Sequence, residues 1–179
     1  MTVVAGARGG CGFIERGIVA GLIAGTTVEL FLFATHAAVW PGTYQWIASG
    51  LIGKVAFTSA SYVWLGLSLH ALVSLGWGLI YAALAQRLPI LIDRPTISGL
   101  LYGLIVFVAM QILTMFSHIW AAPSSPTVLA IYITGHAVFF GLPTALYVAN
   151  ASSQSGHERN LVLSLSGPRL RKLLAPWLF

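Results

Sequence analysis

The chain has 179 residues, the length of one domain, and 58% of them are hydrophobic while only 7% are charged. A soluble domain carries about 25% charged residues because its whole surface faces water, so this composition excludes an ordinary soluble globule. The net charge is +5, but the basic residues lie in the gaps between apolar runs, which argues against nucleic-acid binding. We therefore expect the lipid bilayer to cover most of the surface.

Four apolar stretches are long enough to cross ~30 Å of hydrocarbon, which takes about 20 helical residues. Backbone N–H and C=O groups in lipid must pair within their own segment, so each stretch is predicted to be an α-helix. The sequence thus predicts an all-α four-transmembrane-helix bundle over residues 1–149. The predicted spans are about 14–39, 61–85, 97–121 and 127–149.

The stretch between the first two spans, residues 42–60, is too long for a tight turn. Tyr44, Ile47, Leu51 and Val55 recur in it at helical spacing. This pattern predicts a short helix that lies on the outer membrane interface.

Basic residues flank the spans unevenly. Arg8 and Arg16 precede the first span, Arg87 and Arg94 lie between the second and third, and four more follow the fourth. The other two loops carry only Lys54. The positive-inside rule then predicts an N-in/C-in topology, with both termini in the cytoplasm.

The C-terminal segment, residues 150–179, is predicted to be cytoplasmic. Its first part, 150–160, is polar and indicates a linker. Leucines then recur at helical spacing beside basic residues, a pattern typical of an amphipathic helix on an anionic membrane surface, although a frayed tail is the alternative. The predicted surface contacts are Arg169, Arg171, Lys172 and Trp177.

The chain contains an internal repeat. When the first and third spans are aligned on His36 and His118, and the second and fourth on His70 and His136, several residue types recur at equal offsets. Because alternate spans run in the same direction, we predict two parallel-related helical hairpin repeats. The matched pairs include Gly17 with Gly99, Gly21 with Gly103, Glu29 with Gln111, and Pro41 with Pro123.

Small residues recur every four positions in the first and third spans, at Gly17, Gly21, Gly25, Gly99 and Gly103. Such faces let helix backbones approach closely. They are predicted to serve helix packing, either inside the bundle or against a partner protein.

All four histidines of the spans fall in their outer half when depth is counted at ~1.5 Å per residue. Isolated ionisable groups are costly in lipid, so these side chains should face the bundle interior and find partners. The polar cluster predicted here consists of His36, His70, His118, His136, Glu29 and Gln111.

Three interpretations of this cluster remain open. The side chains can simply hydrogen-bond between helices. A histidine pair, His70 with His136 or His36 with His118, can supply both axial ligands of haem b. Glu29 with His70 and His136 can form a metal or proton site.

The chain shows no hydrolytic or group-transfer motif, and four acidic residues leave little room for paired-carboxylate chemistry, so we predict no catalytic residue. The leading prediction is a non-catalytic accessory or assembly subunit of a larger membrane complex, whose partners are other membrane subunits. One alternative is a b-type haem electron-transfer protein. Another is a small transporter or proton-conducting unit centred on Glu29.

Several features between Trp64 and Ala149 carry a resemblance. They are His70, the triplet Gly76-Trp77-Gly78, the Gly99-x-x-x-Gly103 spacing and His136. With them, this half of the chain resembles uncharacterised bacterial four-helix inner-membrane proteins of the domain-of-unknown-function kind. The resemblance implies four spans in a bacterial inner membrane and implies no activity.

Overall fold

All the secondary-structure elements of the described residues are helices. A computed structural model describes residues 5–117 and 125–165, and no strand occurs in these ranges, so the predicted all-α class is confirmed. A 3₁₀ helix, Gly53–Phe57, follows α2, and a π-helix, Gly135–Gly141, joins α6 to α7. The α-helices are α1 (Ala5–Ala34), α2 (Gly42–Ile52), α3 (Tyr62–Ala85), α4 (Ile90–Asp93), α5 (Pro95–Met115), α6 (Pro126–Thr134) and α7 (Leu142–Leu165).

Four segments are long and apolar enough to cross a membrane, as the sequence predicts. Their outward faces carry large apolar side chains, such as Leu30, which is 62% exposed, and Leu101, which is 56% exposed. Such a surface suits lipid rather than water, and the fold is that of a multi-pass membrane protein. The segments are Gly12–Ala34, Tyr62–Ala85, Pro95–Met115 and Pro126–Ser155.

The first helix ends at Ala34, before the predicted span end at residue 39. His36 adopts a left-handed backbone with φ 55°, and its N–H donates to the Phe33 carbonyl at 3.1 Å. The N–H of Ala37 donates to the Leu32 carbonyl at 2.9 Å. These two bonds form a Schellman cap, which satisfies the last carbonyls and stops the helix. His36 is therefore a capping residue beyond the span.

Helices α1 and α3 form the first hairpin and touch through glycines. A Cβ atom on Gly17 would lie 2.7 Å from the Leu79 Cα, and one on Gly78 would lie 2.7 Å from the Gly21 Cα. Real Cβ atoms do not approach other atoms so closely. Only glycine at these positions lets the two backbones pack at this distance.

Glycines also let the two helices of the second hairpin pack closely. A Cβ on Gly141 of the π-helix would lie 2.7 Å from the Gly103 Cα, and one on Gly99 would lie 2.9 Å from the Leu142 Cα. The glycines predicted to serve helix packing thus lie buried inside the bundle, between the helices of each hairpin. They do not form an outer surface for a partner.

The two hairpins join where α1 meets the π-helix. The Phe31 and Phe139 rings stack with centroids 4.2 Å apart and planes 11° apart. The Thr27 hydroxyl donates to the Phe139 carbonyl, in addition to its contacts within α1. A π-turn shifts the backbone hydrogen-bond ladder, and Thr27 supplies a donor to a carbonyl of this irregular segment.

The last helix continues well past the predicted end of the fourth span. Residues 150–160, predicted as a linker, are helical as part of α7. The Arg16 guanidinium donates to the hydroxyls of Ser152 and Ser155 at 3.0 and 3.2 Å, which ties the start of α1 to this part of α7. The predicted membrane-surface residues, Arg169, Arg171, Lys172 and Trp177, lie outside the described residues.

Candidate functional site

Glu29 and His70 form an ion pair between α1 and α3. The Glu29 Oε2 atom lies 3.5 Å from the His70 Nε2 atom. Glu29 is only 8% exposed, whereas His70 is partly exposed. The pair is therefore an ionisable site within the spanning part of the bundle, where such groups are costly and usually functional.

A glycine one helical turn before Glu29 makes this pairing possible. Gly25 has no side chain, and a Cβ there would lie 2.6 Å from the Ser74 Oγ and 3.6 Å from the His70 Nε2. The imidazole also lies 3.3 Å from the Gly25 carbonyl oxygen. Helix α3 thus comes close enough for its imidazole to reach both a carbonyl and a carboxylate of α1.

One oxygen of the Glu29 carboxyl group has no partner. Its Oε1 atom is buried and makes no hydrogen bond to any of the described residues. Leaving a buried polar atom unsatisfied costs about 1–3 kcal/mol, and more if the group is charged. This atom is thus an acceptor that is shielded from solvent and whose hydrogen-bonding capacity is unused.

Helix α2 supplies a third polar side chain to the site. Tyr44 is buried against α3, where Gly66 leaves space for the Tyr44 backbone, and its ring lies edge-on to His70 with centroids 6.3 Å apart. Burial and the neighbouring Glu29 carboxylate raise the pKa of Tyr44 to about 12. The phenol is neutral at physiological pH, as any tyrosine is, and the shift keeps it neutral and able to donate a hydrogen bond up to a higher pH.

These side chains line a groove of about 270 Å³ along α1 and α3, which we call the Glu29 cavity. Glu29, His70 and Ser74 are among its polar lining residues, and Phe33 and Tyr44 supply aromatic rings. The groove is open to the outside of the bundle.

The other predicted histidines do not join this site. His36 is exposed in the turn after α1, and His118 lies outside the described residues. His136 lies in the π-helix, where its Nδ1 atom is 2.8 Å from the Tyr132 carbonyl oxygen and its ring is edge-on to Phe107. The structure thus brings His70, but not His136, to Glu29.

The glycine contacts of the two hairpins differ in register. Gly21 of the first hairpin packs against the Ser74 backbone, while its predicted counterpart Gly103 packs against the His136 backbone. An alignment on His70 and His136 predicts a contact of Gly21 with His70, so the glycine contacts do not match that alignment.

Gln111, the predicted counterpart of Glu29, is partly exposed on α5 and does not line the Glu29 cavity. Within the described residues, no group of three or more histidine, cysteine, aspartate or glutamate side chains could hold a metal ion. The polar cluster of the prediction is thus divided into a Glu29 site and a separate His136 environment.

Sequence reasoning missed Tyr44, Phe33 and Ser74 as parts of the site. Tyr44 belongs to a set of residues at helical spacing, but that pattern predicts a helix on the membrane interface and does not predict a contact with a buried acid. Ser74 lies one turn after His70 on α3, and this spacing is the signal that could have identified it.

Comparisons with protein-family models, with curated proteins and with solved structures find no match to this chain.

Proposed function

We propose that this chain is a small membrane transporter or proton-conducting unit whose working group is Glu29. The observation that carries the proposal is the buried, unpartnered Oε1 atom of a carboxyl group whose other oxygen faces His70. A carboxyl group in this position can be neutral, or it can be an anion paired with a protonated imidazole. Exchange between these two forms moves a proton within the membrane.

The neighbouring groups support this exchange. His70 Nε2 lies between the Glu29 carboxylate and the Gly25 carbonyl, so a proton on this nitrogen can be shared by two acceptors. The Tyr44 phenol is a neutral donor at physiological pH, and burial and Glu29, which raise its pKa to about 12, keep it neutral in more alkaline solution as well. A fixed donor stabilises the anionic form of the carboxyl group without itself losing a proton.

The accessory-subunit and haem predictions have less support than the transport proposal. The accessory-subunit prediction loses one of its supports, because the glycine faces are occupied inside the bundle. The haem prediction needs two histidines that face one metal ion, whereas His70 Nε2 faces Glu29 and the Gly25 carbonyl and His136 Nδ1 faces the Tyr132 carbonyl. Membership of a larger membrane complex stays a prediction compatible with transport.

The proposal also includes the orientation of the chain in the membrane and the origin of its two hairpins. We infer an N-in/C-in orientation in a bacterial inner membrane from the distribution of Arg and Lys residues and from the resemblance to four-helix inner-membrane proteins. We also infer that the two hairpins arose by duplication. Their matching glycine contacts support this, since Gly78 meets Gly17 and Gly21 as Gly141 meets Gly99 and Gly103.

The test is proton flux into proteoliposomes that hold the purified protein under an imposed membrane potential. We expect flux from the wild type, loss of flux in Glu29→Gln, and retention in Glu15→Gln. Glu15 is a matched control because it lies on the same helix and is exposed. Equal flux in the wild type and Glu29→Gln would remove the proposal.

A further inference from the structure

The Arg16 guanidinium lies where the first span meets the last. Its Nη1 and Nη2 atoms donate to the hydroxyls of Ser152 and Ser155 at 3.0 and 3.2 Å. Gly12, one turn earlier on α1, leaves room for the guanidinium, because a Cβ there would lie 3.2 Å from the Nη2 atom. The arginine is thus held between α1 and α7, and we call Gly12, Arg16, Ser152 and Ser155 the Arg16 site.

The positive charge of this site has no counterion among the described side chains. No carboxylate among them lies within ion-pair distance of Arg16. The hydroxyls of Ser152 and Ser155 already donate their own hydrogens to carbonyls of α7. A guanidinium has five N–H donors, and the two serines accept only two of them. The site can therefore bind an anion that accepts hydrogen bonds.

The Arg16 site stands at the level where lipid headgroups meet the hydrocarbon of a membrane. Of the segments able to cross a membrane, one begins at Gly12 and another ends at Ser155. Arg16 is partly exposed, so the guanidinium can be reached from outside the bundle. Ile14 on the same helix is 44% exposed, and acyl chains cover such an apolar side chain. The phosphate of a neighbouring lipid then lies close to the guanidinium.

A phosphate group matches the guanidinium in both charge and shape. The planar fork of an arginine can donate two parallel hydrogen bonds to one phosphate. Basic pockets between spanning helices recur as sites for anionic headgroups. A zwitterionic headgroup carries its own ammonium group and would bring a second cation to Arg16. The site therefore favours a lipid with a net negative charge.

We propose that the Arg16 site binds the phosphate of an anionic phospholipid, whose acyl chains lie along α1 and α7. The N–H groups of Arg16 that the serines leave unused donate to the phosphate oxygens, while Ser152 and Ser155 orient the guanidinium. The bound lipid stabilises the contact between the first span and the last. This site is separate from Glu29, and the inference does not depend on the transport proposal.

The test is thermal unfolding of the purified full-length protein in two kinds of nanodisc, phosphatidylcholine alone and phosphatidylcholine mixed with phosphatidylglycerol. We expect phosphatidylglycerol to raise the melting temperature of the wild type by about 2 °C or more, because a ligand that binds the folded state stabilises it. Inorganic phosphate added to phosphatidylcholine nanodiscs should give no such rise. An equal rise with inorganic phosphate, or none with phosphatidylglycerol, would overturn the inference.

Variants separate lipid binding from the hydrogen bonds within the protein. Arg16→Gln should lower the melting temperature in both kinds of nanodisc, because its bonds to the serines are weakened, and it should also abolish the rise with phosphatidylglycerol. Arg87→Gln is the matched control, since it removes the same charge from an exposed arginine, and it should keep the rise. A rise that persists in Arg16→Gln, or that is lost equally in Arg87→Gln, would overturn the inference.

Native mass spectrometry measures the same binding without unfolding the protein. The wild type should retain phosphatidylglycerol about tenfold more tightly than Arg16→Gln does. Gly12→Leu keeps Arg16 but fills the space beside its guanidinium, so it should also weaken retention. Circular dichroism and gel filtration check that each variant is folded. Equal retention by the wild type and both variants would overturn the inference.

Discussion

The His70 Nε2 atom lies 3.5 Å from the Glu29 carboxylate and 3.3 Å from the Gly25 carbonyl oxygen, so one ring nitrogen faces two acceptors of the same helix. A hydrogen on this nitrogen is attracted by both. If that hydrogen moves to the carboxyl group, the Nε2 lone pair can accept a hydrogen bond from the carboxyl O–H. One proton can therefore lie on either side of this contact between α1 and α3.

The first prediction concerns the stability of a variant that lacks the buried acid. Glu29→Met together with His70→Phe replaces both members of the pair with apolar side chains of similar volume. We expect this double variant to unfold at a temperature equal to or above that of the wild type, with a gain of up to about 1–4 kcal/mol, because apolar replacement of a whole buried pair is often neutral or stabilising, whereas removal of one partner alone destabilises. Proton flux should be lost. A large drop in stability would indicate that Glu29 is mainly structural.

The second prediction tests the close contact of α1 with α3. Gly78→Ala places a Cβ 2.7 Å from the Gly21 Cα, and backbone on that side cannot move away easily. Overpacking of this kind should destabilise the protein by about 1–3 kcal/mol, seen as a lower melting temperature in detergent. Gly76→Ala on the same helix is the control, since its Cβ meets nothing within 4 Å. Equal melting temperatures for the two variants would contradict the packing described.

A third prediction concerns the hydroxyl that joins α1 to the π-helix. Thr27→Val keeps the shape of the side chain but removes the donor to the Phe139 carbonyl. We expect a loss of about 1–3 kcal/mol, because that buried acceptor is left unsatisfied. Thr35→Val is matched to it, since the Thr35 hydroxyl bonds only to Phe31 and Leu32 of its own helix. A Thr35→Val variant that is equally destabilised would argue against the role of Thr27.

A fourth prediction follows from the Tyr44 phenol, whose pKa is raised to about 12 by burial and by Glu29. A tyrosine in the unfolded chain ionises near pH ~10, so the fold favours the neutral phenol. This contribution is complete below about pH 10 and is lost as the pH rises from there through about 12. Thermal melts should show that wild type loses more stability across this window than Tyr44→Phe does. Tyr62→Phe, at the start of α3, should behave as the wild type.

Much of the architecture could be predicted because it depends on composition. The length of the apolar stretches and the scarcity of charge determine the four spans. The burial of Glu29 follows from the same reasoning, since an acid within a span must face protein. The close glycine contacts follow from their four-residue spacing.

The composition of the site could not be predicted, because it depends on long-range packing. Nothing in the sequence near Tyr44 indicates that α2 folds back onto α3 beside Glu29. His36 adopts a left-handed cap without a glycine, so the end of α1 carries no visible signal.

The central claim, that Glu29 takes up and releases a proton inside the membrane part of the bundle, is tested most directly by infrared difference spectroscopy. The protein is reconstituted in lipid, and spectra are compared as the pH is lowered. We expect a carboxylic-acid carbonyl band that is absent in Glu29→Gln, shifted in His70→Phe and retained in Glu15→Gln. An unchanged set of carboxyl bands in Glu29→Gln would contradict the account.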